Sequence, residues 1–476
     1  MAPNFEELRA SLQEGDVLLP GDAGYDDSLK RWSATCVKPA AAVARPKNAS
    51  EASTIVRFAT KHSISLQVRG GGHNPSGESS ARTPEALILD LAHMRTVSVD
   101  PSAQTVSYGG GCTWADVDNA LWEHGLATVG GTVSHTGVGG LVLGGGYGML
   151  TGRWGLSVDV LLSCEVVLAN GEVVTASETE NSDLFWALRG AGSSFGVVTT
   201  FTSRAFPQGE IWGGIMAWPF ELLPQLVEFV NEFHNKTDGD QWFMPMAMCD
   251  PQTGARLCGA SVFFNGKKED GEAFYKPLRD LQPRLMDTTG QIPYPKANMM
   301  SDAMAVPGRR YMFGGANFTC PLDLQTMKDA AEEFYSGINK PGNEDIRTSS
   351  LALELIPQGK ISEYAKENKT SFAGREGKYN VAMIMSWDNA DRDKEVKDIV
   401  TKASSVFKAK YGRRDGETGG ADTYYNYLNP DVPADKALMK TGRLFGEKAP
   451  RLRELKAKYD PNNVFFKNVN LMPLAQ

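Results

Sequence analysis

The chain has 476 residues, 41% of them hydrophobic and 22% charged, and a formal net charge of −8. This length predicts more than one domain with sizeable cores, and the acidic balance argues against a nucleic-acid binder, which needs a basic face. No run of about 18 apolar residues predicts a membrane span, and the polar N-terminus shows no signal-peptide core, which favours a cytoplasmic location.

Common catalytic and metal-binding motifs are missing from the sequence. The six cysteines form no Cys-x-x-Cys pair, which predicts free thiols, and the six histidines lack the spacing of a metal cluster, so no metal is expected. No P-loop or dinucleotide fingerprint occurs. Gly192–Gly196 fits the Gly-x-Ser-x-Gly pattern of serine hydrolases, but here a predicted helix precedes it and a strand follows, the reverse of that motif's context.

The first part of the chain predicts short strands between helices. Asn48 and Glu51 have the spacing of a helix N-cap, and Asn170-Gly171 between two apolar runs predicts a hairpin. In chain order, helices are predicted over 5–13, 48–62, 114–125 and 182–188, and strands over 64–68, 86–91, 96–100, 105–108, 159–168, 173–175 and 197–206.

Two glycine-rich loops interrupt these elements. The first reads VRGGGHNPSG over 68–77, and its consecutive glycines let backbone N–H groups approach a phosphate, with Arg69 for charge and His73 at the tip. The second, 130–148, holds nine glycines in nineteen residues with apolar residues between them, which indicates packing against a large flat group. Together the loops predict one extended nucleotide cofactor held along its length.

The character of the chain changes near residue 207. Residues 208–415 alternate helical patterns (222–234, 322–336, 391–410) with strand-like runs (242–248, 260–264, 350–355, 381–387). This alternation predicts an α+β layout in which helices cover one face of an antiparallel sheet. Five large aromatic residues of this part could stack on an aromatic substrate, but core packing is their commoner role: Trp212, Trp218, Trp242, Phe243 and Trp387.

Read together, the segments resemble the FAD-linked oxidoreductases of the vanillyl-alcohol-oxidase superfamily, with their PCMH-type FAD-binding domain. More narrowly, they resemble the berberine-bridge-enzyme-like group, which includes 6-hydroxynicotine-oxidase-like fungal and bacterial oxidases. The motifs that carry this resemblance are Leu18–Asp22, Val68–His73, Asp90–Arg95, Gly137–Gly148, Gly192–Thr199, Tyr424–Tyr427 and Tyr459–Phe465. The resemblance implies an α+β fold whose FAD-binding domain is built from residues 1–207 and 416–476, with a substrate-binding domain, 208–415, inserted between them.

The resemblance also implies how the cofactor is held. The first loop would cradle the FAD pyrophosphate, and His73 would be joined to the flavin 8α-methyl group. Relatives with a second, cysteinyl bond carry the cysteine where this chain has Val133, so a single covalent bond is expected. Thr136 falls where relatives control oxygen access. The other implied cofactor-binding residues are Arg69, Gly70, Gly71, Gly72, Asn74, Gly77, Ser134, Gly137, Gly140, Gly148, Val198, Tyr427 and Asn468.

The catalytic base stays open at this stage. Tyr424 and Asn426 stand where relatives place an active-site tyrosine, and His135 is a second candidate. A tyrosine base needs its pKa of about 10 lowered by a nearby charge or hydrogen bond. The positions that carry Lys and Gln in plant relatives correspond here to Asn380 and Ala382. Packing of the tyrosines at a domain seam is the alternative.

The resemblance implies an FAD-dependent oxidase. It would transfer a hydride from an alcohol, amine or activated C–H of a small organic substrate, such as an aromatic secondary metabolite, to flavin N5, and O2 would reoxidise the flavin to give H2O2. Three alternatives remain: a dehydrogenase with another electron acceptor, an FAD-scaffolded non-redox cyclase, and a flavin-binding protein without activity. The expected partners are the substrate and O2, with neither nucleic acid nor membrane, and the expected state is a monomer or weak dimer.

Overall fold

The computed structural model describes residues 4–375, 377–412, 424–427, 437–466 and 471–472, and it has the predicted α+β class. The helices are α1 (Phe5–Ser11), α2 (Tyr25–Leu29), α3 (Ala49–Lys61), α4 (Trp114–Trp122), α5 (Val138–Leu143), α6 (Thr151–Trp154), α7 (Ser157–Val160), α8 (Ser182–Ala191), α9 (Leu223–Lys236), α10 (Lys268–Phe274), α11 (Lys276–Arg279), α12 (Tyr294–Ala297), α13 (Leu324–Ile338), α14 (Gln358–Glu367), α15 (Asp393–Tyr411), α16 (Ala437–Phe445) and α17 (Ala449–Tyr459).

The strands form four sheets. They are β1 (Asp16–Leu18), β2 (Ala42–Arg45), β3 (Leu66–Arg69), β4 (Leu87–Asp90), β5 (Val97–Asp100), β6 (Thr105–Gly109), β7 (Leu126–Ala127), β8 (Leu161–Val167), β9 (Val173–Ser177), β10 (Val197–Arg204), β11 (Phe206–Pro207), β12 (Ile211–Pro219), β13 (Gln241–Cys249), β14 (Arg256–Phe264), β15 (Met286–Asp287), β16 (Gly290–Ile292), β17 (Arg310–Phe318), β18 (Ser350–Glu354) and β19 (Tyr379–Trp387). The sheet orders are β1-β2-β4-β3, β5-β6-β10-β8-β9, β11-β7 and β15-β12-β14-β13-β18-β19-β17, with β16 beside β12.

The two N-terminal sheets place the glycine-rich loops. In the first sheet β4 runs parallel to both β2 and β3, and the first loop leaves the end of β3. Helix α3 begins as predicted, because the Asn48 side chain accepts a hydrogen bond of 2.9 Å from the Glu51 N–H. The predicted hairpin is also present, with Val167 opposite Val173 across β8 and β9.

Two details of this part differ from the sequence prediction. The strand predicted over 159–168 begins only at Leu161, because Asp159 accepts a hydrogen bond from the Leu156 N–H (2.8 Å) and caps the short helix α7. The second glycine-rich loop contains helix α5, whose Val138 and Val142 are buried one turn apart.

The large antiparallel sheet confirms the layout predicted for the second half of the chain. Alternate residues of each strand point to opposite faces, so Phe243 packs with helices α9, α13 and α15, whereas Trp242 and Met244 face the glycine-rich loops. The five aromatic residues singled out in the sequence are at most 1% exposed and fill these two cores rather than a substrate pocket: Trp212, Trp218, Trp242, Phe243 and Trp387.

Strands β12 and β17 were missed by the sequence prediction. Each contains a glycine pair, Gly213-Gly214 and Gly314-Gly315, which weakens the strand signal. The pairs have a packing reason: a Cβ on Gly314 would lie 2.0 Å from Val400 Cγ1, so only glycine lets α15 approach the sheet this closely.

The C-terminal residues pack against the first part of the chain. Lys456 of α17 is buried, and its Nζ donates to Asp460 Oδ2 (2.6 Å), to the Ser194 carbonyl (2.7 Å) and to the Phe465 carbonyl (3.1 Å). A buried ion pair such as Lys456–Asp460 is stable only when its donors all have acceptors. Here the three bonds of Lys456 hold α17 beside α8. The domain limits 1–207, 208–415 and 416–476 stay a prediction.

All six cysteines are free thiols, and no group of side chains in the described residues could hold a metal ion. None of the helices described in 4–466 is long and apolar enough to cross a membrane.

A buried carboxyl joins α4 to α12. Asp118 is 1% exposed and accepts a hydrogen bond of 2.7 Å from Asn298 Nδ2. Asp118 Oδ1 and Asn298 Oδ1 have no hydrogen-bond partner in the described part of the chain, and burial raises the pKa of Asp118 to about 7. A protonated carboxyl adds a donor beside these two unpartnered acceptor oxygens, so the neutral form of Asp118 is favoured here.

We expect this carboxyl to make stability fall as pH rises. Between the ordinary value of 3.8 and about 7, the folded chain keeps a proton that the unfolded chain releases, so its contribution to the free energy of unfolding falls by up to about 1.4 kcal/mol per pH unit. Asp118→Asn should remove this slope, and Asp329→Asn, an exposed helical control, should keep it. Chemical denaturation across this pH range measures both, and identical slopes for wild type and Asp118→Asn would contradict the expectation.

Candidate active site

A deep cleft lies between the two glycine-rich loops and the large sheet, and its space, with the open mouth included, is about 1880 Å³. Because both loops and the sheet line it, an extended ligand can lie along the two loops. Its wall includes Gly70–Pro75, Gly131–Val133, Thr136, Gly137, Gly139–Leu141, Tyr147, Val198, Met244, Met246, Phe313, Thr348, Ser350, Glu354, Ile384, Tyr424, Asn426 and Tyr427.

The two loops touch backbone to backbone. A Cβ on Gly71 would lie 2.5 Å from Gly137 Cα, and a Cβ on Gly137 would lie 2.5 Å from Gly71 Cα, so side chains are excluded at this contact. On the cleft side, a Cβ on Gly140 would meet no protein atom within 4 Å. The loops therefore form a wall of bare backbone, which suits close approach of N–H groups to a pyrophosphate. This fits the FAD that the sequence predicts.

His73 is held rigidly at the cleft wall. Its ring stacks on Trp32 with centroids 4.3 Å apart and planes 9° from parallel, and its Nε2 lies 3.2 Å from His135 Nδ1. Trp32 is fixed in turn by a hydrogen bond from Nε1 to the Ala305 carbonyl (2.6 Å) and by stacking on Tyr311. Burial, and then the neighbouring His135, lower the pKa of His73 to about 3. His73 is therefore a neutral imidazole in one fixed orientation.

His135 and Ser134 lie behind the cleft wall. The Ser134 backbone N–H and Oγ donate to the two oxygens of Asp302, at 3.0 and 2.6 Å, which ties the second loop to the chain after α12. Burial lowers the pKa of His135, and Asp302 only partly opposes this. Because His135 faces His73 and does not line the cleft, its geometry suits support of that ring better than contact with a substrate.

Three other residues of the predicted cofactor set lie away from the cleft. Arg69 Nη1 bonds the buried Asp90 carboxylate (2.7 Å) and the Ser28 carbonyl (2.9 Å), so it braces the first loop from behind. Gly77 has φ +76° and closes that loop with a hydrogen bond from its N–H to the Asn74 carbonyl (3.3 Å). Gly148 packs on the backbone of Gly130. Asn468 lies outside the described residues.

Tyr424 does line the cleft, but its surroundings differ from those a tyrosine base requires. Its hydroxyl oxygen accepts hydrogen bonds from the Gly146 N–H (3.2 Å) and from Asn426 Nδ2 (2.7 Å). Burial dominates these contacts and raises the pKa of Tyr424 above its usual value of 10. Tyr424 is therefore a neutral phenol, and Asn426 positions it.

Glu354 is the cleft residue that the sequence analysis missed. It ends β18, is 5% exposed and lines the cleft. The Tyr147 hydroxyl donates to its Oε2, the Tyr427 hydroxyl donates to Oε1 (2.7 Å), and Asn380 Nδ2 donates to Oε2 (3.2 Å). Burial raises the pKa of Glu354, and the three donors oppose this only in part. The available signal was a lone charge in the apolar run LALELI.

Comparisons with known proteins agree with this geometry. A family model described as FAD binding domain matches residues 40–177, and one described as berberine and berberine like matches 423–471. The FAD-linked oxidoreductase pgmH of Aspergillus terreus is 33% identical over 99% of this chain and 96% of its own length. The FAD-linked oxidoreductase hasG of Aspergillus fumigatus is 30% identical over 96% of this chain and 97% of its own length.

Solved structures show the same fold. The 6-hydroxy-D-nicotine oxidase of Arthrobacter nicotinovorans superposes with a TM-score of 0.84 at 24% identity, covering 98% of this chain and 99% of that one. A xylooligosaccharide oxidase from Myceliophthora thermophila reaches 0.82 at 20% identity, covering 99% of both chains.

The fold and the glycine-walled cleft thus define a flavin-dependent oxidoreductase. Within that class, the chain belongs to the family of FAD-linked oxidoreductases with a berberine-like C-terminal segment. The family and the fold predicted from the sequence are confirmed, and FAD is the cofactor.

We expect Gly71→Ala to abolish FAD retention. The added methyl group would force the two loops apart at a backbone contact that cannot relax, and overpacking of this kind costs about 1–3 kcal/mol. The flavin absorbance per protein and the melting temperature of the purified variant measure both effects. Gly209→Ala is the control, because a Cβ there meets nothing within 4 Å. Wild-type flavin content and stability in Gly71→Ala would refute this account of the wall.

Proposed function

We propose that this protein is an FAD-dependent oxidase of a small organic substrate, and that Glu354 accepts the O–H or N–H proton which the substrate loses. The bound FAD supplies a ring that accepts the hydride from the substrate C–H bond. One observation carries the proposal: a buried carboxyl group with a raised pKa lies on the cleft wall, ordered by three donors. Perturbed carboxyl groups in clefts are typical general bases.

The chain's own residues determine how that base works. Ionised Glu354 is stabilised by the Tyr147 and Tyr427 hydroxyls, which hold both oxygens in place. Burial keeps water away and makes the carboxylate a stronger base than it would be in solution. The substrate loses one proton to Glu354 and one hydride, which together remove two electrons. Dioxygen takes up those electrons with two protons to give H2O2.

The large sheet beside Glu354 favours a substrate with an apolar body. Met244, Met246, Phe313 and Ile384 supply adaptable hydrophobic surface to the cleft, and Thr348 and Ser350 add hydroxyls at its side. One of the solved relatives is named for a xylooligosaccharide, a substrate covered with hydroxyl groups. Buried hydroxyls need partners, so this wall suits an aromatic or alicyclic alcohol, phenol or amine better than a sugar.

We further propose that the FAD is attached covalently through His73 alone. Support comes from its neutral imidazole, which keeps a lone pair available, and from its clamp between Trp32 and His135. Val133 lines the cleft where a second, cysteinyl link would require sulfur, and none of the cleft residues described is a cysteine.

The electron acceptor needs a separate test. Thr136 lines the cleft with a polar side chain, and by the family resemblance it stands where relatives control the access of oxygen to the flavin. A dehydrogenase that uses another acceptor is the second candidate. Substrate-bleached enzyme is mixed with air-saturated buffer. Rapid return of the yellow colour with stoichiometric H2O2 supports the oxidase, whereas slow return identifies the dehydrogenase.

Glu354→Gln should slow flavin bleaching by substrate about a hundredfold or more, since general-base catalysis contributes about 10²–10⁴. In the wild type the bleaching rate should rise with pH, because only the ionised carboxylate accepts a proton, with a midpoint above the ordinary Glu value of 4.5. Anaerobic stopped-flow absorbance with a screened substrate measures both. Glu363→Gln, at an exposed position of α14, is the control. An unchanged rate and pH profile in Glu354→Gln would exclude the base.

The covalent bond has a direct readout. After acid precipitation the yellow colour should remain in the pellet of the wild type and of His124→Ala, an exposed control, and should move to the supernatant for His73→Ala. Colour released from the wild type would mean that FAD binds here without a covalent bond.

A further inference from the structure

We propose that the proton taken up by Glu354 reaches solvent through a second cavity, and that the Tyr147 hydroxyl transfers it from Glu354 to that cavity. The inference rests on the proposed role of Glu354 as base. A buried carboxyl that takes up a proton in each turnover must release it before the next, and on the cleft side the substrate or product lies against it. A route that avoids the cleft would let proton release proceed while the cleft is filled.

The second cavity adjoins the cleft, and its space, with the open mouth included, is about 530 Å³. The centres of water molecules can occupy about 50 Å³ of it, which is room for a few waters, since one needs about 10–15 Å³ by this measure. Its wall includes Asn317, Gln358, Lys378 and Asn380, and it reaches Gly374, which is exposed to solvent. Polar side chains of this kind favour water over an empty void.

Tyr147 and Tyr424 line both cavities. Of these two phenols, Tyr147 donates its hydroxyl hydrogen to Glu354, whereas Tyr424 bonds Asn426 and the Gly146 N–H. Asn380 also lines the second cavity and bonds Glu354 Oε2 (3.2 Å), but its amide group does not take up and release protons. Tyr147 is therefore the side chain that can pass a proton from the carboxyl group to the second cavity. A phenol is suited to this because it can receive one proton and release another.

A polar strip continues from Tyr147 along the sheet. Asn380 Nδ2 donates to the Tyr147 oxygen (2.7 Å), which holds the phenol in place. Asn317 is the cross-strand partner of Asn380 in β17. Lys378 precedes Asn380 by two residues and lines the same cavity. The strip leads from the relay toward the exposed Gly374.

The relay conserves protons and needs no oxidant. When Glu354 has taken up a proton, the Tyr147 hydroxyl first rotates so that its hydrogen points away from Glu354 and toward the second cavity. Protonated Glu354 then gives its hydrogen to the Tyr147 oxygen while the Tyr147 hydrogen passes to a water in the second cavity, which restores the starting arrangement. One proton enters and one leaves. The shift avoids a free phenolate, which burial would make costly, since it holds the pKa of Tyr147 well above 10.

Two matched variants test the route. Tyr147→Phe and Tyr427→Phe each remove one phenol that donates to Glu354, and both phenols line the cleft, but only Tyr147 lines the second cavity. In an anaerobic single turnover of the holoenzyme, flavin absorbance reports substrate oxidation and a pH-indicator dye reports the proton that reaches the medium. Both variants should shift the pH profile of bleaching. Only Tyr147→Phe should delay proton release behind bleaching, by at least about tenfold.

A third variant leaves every contact of Glu354 intact. Ile361→Phe adds bulk from α14 into the second cavity, where it displaces water, and cavity filling is usually tolerated. It should delay proton release while leaving the bleaching rate and its pH profile unchanged. Equal release in Tyr147→Phe and Tyr427→Phe, or no delay in Ile361→Phe, would overturn the route. Loss of the Glu354 role itself would appear separately, as unchanged bleaching in Glu354→Gln.

Discussion

The contact between Gly71 and Gly137 is the constraint on which the site depends. The first loop leaves β3, which runs parallel to β4, and the second loop contains α5. Because neither Gly71 nor Gly137 has a side chain, the two loops meet backbone to backbone. That contact produces a wall of peptide groups and sets where His73 sits relative to the cleft. Trp32, which itself lines the cleft, stacks on His73, whereas His135 and Asp302 hold the loops from behind the wall.

The large sheet supplies the other half of the site. Its helix-covered face is an ordinary apolar core, and the alternation of side chains turns the second face toward the cleft. On that face Glu354, Asn380 and the tyrosines 147 and 427 form one hydrogen-bonded cluster contributed by four separate segments of the chain. An isolated carboxyl group buried there would be costly, and the donors reduce this cost while its pKa stays above the ordinary glutamate value.

Local sequence signals were sufficient for many of the elements and for both loops. The N-cap at Asn48, the Asn170-Gly171 hairpin and the alternating runs of the second half each depend on residues close together in the chain, and each was predicted correctly. Strands β12 and β17 were not, because their glycine pairs serve packing against distant elements, as Gly314 does against Val400. The glycine loops also carried the family resemblance, since a backbone wall tolerates few substitutions.

The sequence by itself determined the class of protein, the cofactor and many of the elements, because glycine spacing and hydrophobic periodicity are properties of short segments. Only the tertiary structure decided which polar groups meet in the cleft. In the sequence Glu354 looks like any other acidic residue, but in the folded chain burial raises its pKa and the hydroxyls of two distant tyrosines partly oppose this. Tyr424 is a candidate base in the sequence, but in the folded chain burial raises its pKa as well. The pKa of a side chain depends on desolvation and on neighbours that folding brings together, and a short stretch of sequence specifies neither.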